Sequence, residues 1–337
     1  MSRDQINLQS KTNSLLNWFL HKKSKCINQE PFFVKSTICN SISASYRCLN
    51  ESSLDTHEFR CTIKEIDLKR YETPYLSPVI EISKFIKKSA NSHIKHFILH
   101  GSLSTLDYIP GWSDFDSIAV ISDRVLNNPI EMIKLRSHCS SIEEMIQKID
   151  KHQHHGIHFI AEKDLLMYSD TYLPTALFKD SVSLLENIDF SCQKRDSRQE
   201  QIDRFNSIYQ TFKDAYDGGT LRHHAYNGIY MMDNFRNYQN SMYQMKYFLS
   251  VVCLLPSYFM NISGEYLTKP ESIEACRKFI SKENFEIVDI SSKARSSWKI
   301  NPAMSNEIPA DTIKIIGENY FFRGYNFIRE MKSALGV

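Results

Sequence analysis

The sequence predicts an α+β protein: a small mixed-sheet domain in the middle of the chain, followed by an α-helical C-terminal domain. Three observations carry that expectation. Apolar runs of strand length at His96–His100, Asp114–Ser122 and Gly156–Ala161 alternate with segments of helical periodicity. From about Arg198 onward the strand signal vanishes and apolar residues recur at helical spacing. Over 337 residues, 42% hydrophobic and 24% charged side chains describe a globular chain. At about 150 residues per domain, that length leaves room for roughly two.

The first 75 residues read as an N-terminal extension packed on the central domain. In it, Leu15–Leu20 is one or two helical turns, Thr37–Tyr46 is Ser/Thr/Cys-rich and read as strand, and Asn50–Glu58 is polar loop. The central domain spans 76–197. Ser77-Pro78 starts a helix, with proline near the first helical position and Val79, Ile82, Phe85 and Ile86 on one face. Pro129–Arg136 and Ile142–Ile149 are helical, and Leu173–Phe178 opens a further helical stretch. In the C-terminal domain, 198–337, helices are expected at Gln201–Tyr216, Arg222–Asn237, Tyr243–Met260, Lys269–Ser281 and Glu318–Leu335. Pro256 is expected to kink or split the third of these.

Composition narrows the classes of function. Forty-one Lys+Arg against thirty-nine Asp+Glu leave +2, too little for a global field that holds nucleic acid or an acidic membrane. Lys84–Lys88 and Lys293–Arg295 are local basic patches only. No run approaches 18 consecutive apolar residues, so no membrane span is expected. The first residues lack the long apolar region and small-residue cleavage site of a secretory signal. The eight cysteines are scattered, without CxxC spacing. They read as reduced thiols of a cytoplasmic protein.

One segment concentrates the chemistry: HGSLSTLDYIPGWSDFDSIAVI, residues 100–121. Gly101 permits a tight turn and close backbone approach, so that loop amides and the Ser102 hydroxyl can meet a phosphate. Asp114 and Asp116 are two apart on an extended chain and project from one face, while Phe115 points into the opposite, packed face. Paired carboxylates beside a phosphate loop suit Mg²⁺ (or Mn²⁺) carried by a nucleoside triphosphate, because Mg²⁺ prefers a couple of carboxylates plus phosphate oxygens.

The segment resembles the signature of the polymerase-β-type nucleotidyltransferase superfamily: strand, Gly-Ser, a loop of this length, then Asp-x-Asp. The likeness covers roughly residues 77–190. In layout the chain is similar to the bacterial antibiotic (aminoglycoside-type) nucleotidyltransferases, which also carry a C-terminal helical domain. The resemblance implies that Gly101 and Ser102 hold the triphosphate and that Asp114 and Asp116 ligate the metal. It also implies a third acidic residue on a neighbouring strand. The strand in that place is Gly156–Ala161, and its inward candidate is His158, a departure from the pattern. An imidazole there could act as a base, ligate a metal more weakly, or mark lost catalysis. Glu162, if the strand reaches it, and Asp107 are further candidates.

The run His152–His158 is rich in imidazole, but His154 and His155 cannot both face one site from a regular strand. Within GEYLTKPESIEACR, residues 264–277, Lys269 resembles the lysine that reaches the triphosphate in the antibiotic enzymes. The aromatic stretch Tyr320–Tyr325 reads as helix packing, with a base-stacking role as the alternative. The expected activity is transfer of an NMP, AMP from ATP by preference, onto a hydroxylated small molecule. Two alternatives stay open: a nucleotide-binding protein that has lost turnover, and a transferase acting on protein or tRNA.

Overall fold

The computed structural model describes residues 3–21, 27, 29–49, 56–149, 156–218, 241–298, 309–317 and 319–337. They fall into two compact units, Met1–Tyr108 with Ser113–Asp196, and Ile109–Trp112 with Ser197–Val337. The architecture is α+β, a six-stranded mixed sheet followed by C-terminal helices.

The first unit runs α1 (Arg3–Leu20), α2 (Phe32–Arg47), β1 (Thr56–Glu65), a 3₁₀ turn (Leu68–Tyr71), α3 (Ser77–Phe85), a π turn (Ile86–Ala90) and β2 (Ile94–Leu99). It continues with α4 (Ser102–Thr105), β3 (Ser117–Ile121), α5 (Asp123–Leu126), α6 (Pro129–Ile149), β4 (Ile157–Ala161) and α7 (Glu162–Leu165). A 3₁₀ helix (Thr175–Asp180), β5 (Val182–Ser183) and β6 (Ile188–Arg195) complete it. The sheet order is β4-β3-β2-β5-β1-β6. β2 lies antiparallel to β3, and β3 parallel to β4 with Ile118 opposite His158. β1 and β6 form a long antiparallel ribbon from Thr56↔Arg195 to Ile63↔Ile188.

All five residues of β3 are buried, as a central strand covered on both faces requires. Alternation divides the side chains. Phe97, Leu99, Phe115, Ala119, Ile121, Ile157 and Phe159 join α1, α2, α3 and α6 in one core. Ile98, Ile118, Val120 and Ile160 face a second core with Tyr168, Phe178 and Phe190.

Three local expectations are corrected. Thr37–Tyr46 is part of α2, not a strand: Thr37 Oγ1 and Ser41 Oγ donate to the carbonyls four residues back, and Cys39, Ile42, Ser43 and Tyr46 form one buried face. A strand begins at Thr56, inside the stretch read as loop. β3 starts at Ser117 rather than Asp114; Gly101 turns the partner strand away, and His100 N–H to Asp116 O at 3.2 Å extends the ladder one step beyond the strand.

α1 covers the open edge of β4. The Asn17 amide donates to Phe159 O at 2.7 Å, and its carbonyl accepts from Phe159 N–H at 2.8 Å. One side chain thus supplies what a neighbouring strand would supply. Beside it, Gln9, Asn13 and Tyr46 donate to the buried Asp164 carboxylate, which also accepts from Ala161 N–H. Burial raises the Asp164 pKa, and those donors oppose the rise.

The second unit is helical: α8 (Arg198–Gly218), α9 (Ser241–Ile262), α10 (Lys269–Cys276), α11 (Lys282–Ser296), α12 (Ala310–Ile316) and α13 (Tyr320–Leu335). The expected helix at 222–237 lies outside the described residues. α9 passes through Pro256 without splitting, because Val252, Leu255, Phe259 and Met260 bury it in the centre of the unit. Its segment Met245–Ile262 is the one described helix long and apolar enough to cross a membrane, and 72% of that window is buried. Trp112 packs edge-on against Trp298 in this core, with ring centroids 5.0 Å apart.

Candidate functional site

The Gly-Ser turn is built from both sides. β2 ends at Leu99 opposite Ser117, and the chain then reverses at Gly101, φ 63° and ψ −145°, a region open to glycine. The Gly101 carbonyl turns inward and accepts from the amides of Ser104 (3.1 Å) and Thr105 (3.2 Å) and from both of their hydroxyls. That fixes α4 and leaves the Ser102 and Leu103 amides ahead of the first helical hydrogen bonds. The Tyr71 hydroxyl, buried and with its pKa pushed up to about 12, donates to Leu103 O at 2.6 Å and pins the turn from beneath. Leu106 closes α4 in the left-handed region at φ 62°. That strain of about 1–2 kcal/mol in a non-glycine residue is held in place by its packing on the core.

One of the two aspartates, Asp116, lies against the turn. Phe115 is fully buried in the helix-covered core, while Asp114 and Asp116 on either side of it are half-exposed. A Cβ on residue 101 would lie 2.9 Å from Asp116 Oδ2, which brings the carboxylate against the bare backbone of the turn. This contact is a physical reason for the glycine beyond its φ. His158 is half-buried on β4 opposite Ile118, two residues along from Asp116, and so belongs to the same sheet face. Its ring stands 5.9 Å from that of Tyr172.

Glu162 is not on the strand; it opens α7, takes Lys95 Nζ at 2.6 Å and accepts from Asp123 N–H at 2.7 Å. Asp107 is exposed and accepts from Thr105 Oγ1 at 2.5 Å. Lys269 is the first residue of α10 in the helical unit. Glu271 caps that turn, accepting from Thr268 N–H and Thr268 Oγ1 at 2.8 Å each. His152, His154 and His155 lie outside the described residues.

Sequence reasoning missed the polar pair buried beneath this face. Lys194 Nζ meets Asp170 Oδ2 at 2.5 Å, with side-chain exposures of 4% and 0%. Asp170 Oδ1 accepts from Thr175 N–H at 2.9 Å. Backbone bonds of Tyr168 to Gln193 O and from Arg195 N–H tie the same segment to β6. Tyr172, against His158, is carried on the loop so held. The pair's only sequence signal is a lysine at the apolar parity of β6, after Ile188, Phe190 and Cys192.

As a donor set, a carboxylate against a glycine turn with a second carboxylate two residues before it in the chain fits Mg²⁺ that brings phosphate oxygens of its own. The two do not fit a metal held by protein ligands alone, and among the described residues no group of three or more His, Cys, Asp or Glu side chains could hold one. No protein-family model, curated protein or solved structure matches the chain, so the likeness to nucleotidyltransferases rests on this segment.

Proposed function

We propose that this chain is a metal-dependent nucleotidyltransferase that moves an NMP, AMP from ATP, onto a hydroxyl of a small-molecule acceptor and releases pyrophosphate. The observation that carries the reading is the placement of Asp116 Oδ2 against the Cβ-less backbone of Gly101.

In this reading the Ser102 hydroxyl and the first amides of α4 orient the triphosphate. Asp114 and Asp116 would hold Mg²⁺, whose charge would offset the charge that develops on the phosphate oxygens. The acceptor oxygen forms a bond to the α-phosphorus as the bond to pyrophosphate breaks. His158, on the face of Asp116, takes the proton that the acceptor hydroxyl loses. Positioning and charge supply most of the rate in such transfers, so few side chains need to act directly.

The imidazole at the third acidic position favours a second reading, nucleotide binding without turnover. Calorimetric titration of ATP, GTP, CTP and UTP into the full chain, with and without Mg²⁺, tests the site. Saturable, metal-dependent binding of one nucleotide that disappears in Asp116→Asn supports it; equal binding by that variant excludes it. Pyrophosphate release with hydroxylated acceptors then separates the two readings.

A further inference from the structure

His158 is carried by an edge strand of the sheet. On its inner side β4 is held by the parallel ladder to β3, where His158 stands opposite Ile118. On its outer side the holder is α1. The peptide that joins His158 to Phe159 carries the Phe159 N–H, and that N–H donates to Asn17 Oδ1 at 2.8 Å. One peptide further, Phe159 O accepts from Asn17 Nδ2 at 2.7 Å and from Asn13 Nδ2 at 3.0 Å. The Asn17 amide is fixed in turn, because Nδ2 also donates to Asn13 O at 2.9 Å.

The other grip lies two residues before His158. Gly156 turns into β4 at φ 69°, and the ring of His21, just past the end of α1, fills the place a Cβ of residue 156 would take. His21 is anchored there: its Nε2 meets Glu143 Oε1 at 3.2 Å, and its carbonyl accepts from Arg136, which also caps Phe19 O. α1 thus holds the backbone of β4 on both sides of His158. The ring of Tyr172, 5.9 Å away, packs against the imidazole itself. A group that acts on a substrate has to stand within about 0.5 Å of its productive place, and side chains that lock its backbone supply that precision.

We propose that Asn17 is a positioning residue for His158: through Asn17 at the peptide after it and His21 at Gly156 before it, α1 sets where the imidazole stands on the face of Asp116. The N-terminal helix is then part of the site and not an appendage to it. That His158 serves the transfer rests on the function proposed above; that α1 places its ring does not.

The test is NMR of the histidine ring protons in the full chain at a single pH, with the His158 signal identified by its loss in His158→Gln. Asn17→Leu removes the acceptor of Phe159 N–H. Gln9→Leu is the control for loosened packing of α1: it cuts the bonds to Asp164 Oδ1 at 3.1 Å and Met167 O at 3.2 Å and leaves Phe159 alone. Urea midpoints put the two variants on one stability scale. The His158 signal is expected to shift in Asn17→Leu and to keep its wild-type position in Gln9→Leu. Asn17→Ser, too short to reach Phe159 and without an alkyl group at the strand edge, gives the same comparison should Asn17→Leu not fold. An unmoved His158 signal in the Asn17 variant, or an equal shift in Gln9→Leu, would overturn the proposal. Calorimetry with Mg-ATP is expected to give one affinity for the wild type and the Asn17 variant, since the Gly101 turn and Asp116 are untouched. Weaker binding by the variant would mean general loosening and would also overturn it. A wild type that binds no Mg-ATP counts against the transferase reading instead, and the ring signals alone then decide whether α1 positions His158.

Discussion

The Oδ2 atom of Asp116 stands 2.9 Å from the point a Cβ would occupy on residue 101. Gly101→Ala therefore meets two obstacles: a backbone at φ 63°, ψ −145°, and a carboxylate that has to move. The backbone strain costs about 1–3 kcal/mol. The displaced carboxylate costs function on top of that. The expected result is a modestly lowered melting temperature together with loss of metal-dependent nucleotide binding, read by thermal melting and calorimetry on one preparation. A variant that melts early but binds nucleotide normally would detach the glycine from the site and leave it a folding residue.

Asp114→Asn and Asp116→Asn separate function from stability in the other direction. Both side chains are half-exposed, and two carboxylates on one face repel. Neutralising either is expected to leave the melting temperature unchanged or raise it slightly, while pyrophosphate release falls to background. Retained release in both variants would place the chemistry elsewhere.

Asn17 makes a sharper stability prediction. Asn17→Leu leaves Phe159 N–H without its 2.8 Å acceptor, while Phe159 O keeps Asn13 at 3.0 Å. A buried orphan amide costs about 1–3 kcal/mol. Urea unfolding should show a loss of that size. Since the substitution also uncovers the edge of β4, the variant is expected to aggregate at concentrations where the wild type does not, as light scattering would report. An unchanged urea midpoint would mean that α1 packs on β4 without depending on this pairing.

These residues also show where the sequence is legible. The strands β2, β3 and β4 and the Gly-Ser to Asp-x-Asp segment can be read because apolar runs and glycine punctuation are local signals. β1 escapes that reading although Phe59, Cys61 and Ile63 alternate with Glu58, Arg60 and Thr62, because a half-exposed ribbon carries a weak apolar signal. α2 is misread from its Ser, Thr and Cys content, since burial of one face against α1 and α6 overrides intrinsic propensity. α11 is hidden because its buried Phe285, Ile287, Val288 and Ser291 lie among charged residues. Asn17, Asp164 and Lys194 are beyond any local reading: each is a polar residue whose partner lies far away in sequence.

His96 gives the pH prediction. Burial, and next the Lys95 charge, lower its pKa from 6.5 to about 4 against the opposing pull of Glu162. The unfolded chain thus takes up a proton near pH 6.5 that the folded chain accepts only near pH 4. The stability tied to the neutral ring is complete above pH 6.5 and is lost as pH falls towards 4. His96→Gln removes that titration. Urea unfolding free energies at about pH 7 and about pH 5 should therefore differ less in the variant than in the wild type. Equal differences would show that His96 titrates alike in both states.

The buried pair Lys194–Asp170 allows a double-mutant cycle. Lys194→Met leaves Asp170 uncompensated at 0% exposure, and removing one partner of such a pair costs about 3–5 kcal/mol. Asp170→Asn takes the carboxylate from the ammonium, which keeps Thr175 Oγ1 at 3.4 Å, and leaves an oxygen for Thr175 N–H at 2.9 Å. The double variant restores neutrality, since neither charge is then left buried alone. It is expected to be more stable than either single variant, with a coupling of about 1–3 kcal/mol between the two sites. Urea unfolding of the four proteins measures it directly. Strictly additive losses would mean that each side chain is satisfied by other neighbours and that the ion pair contributes nothing of its own. Coupling as large as expected would make this pair the anchor of the loop that carries Tyr172, so the double variant should then leave the His158 environment, followed by its ring proton shifts, closer to wild type than either single variant does.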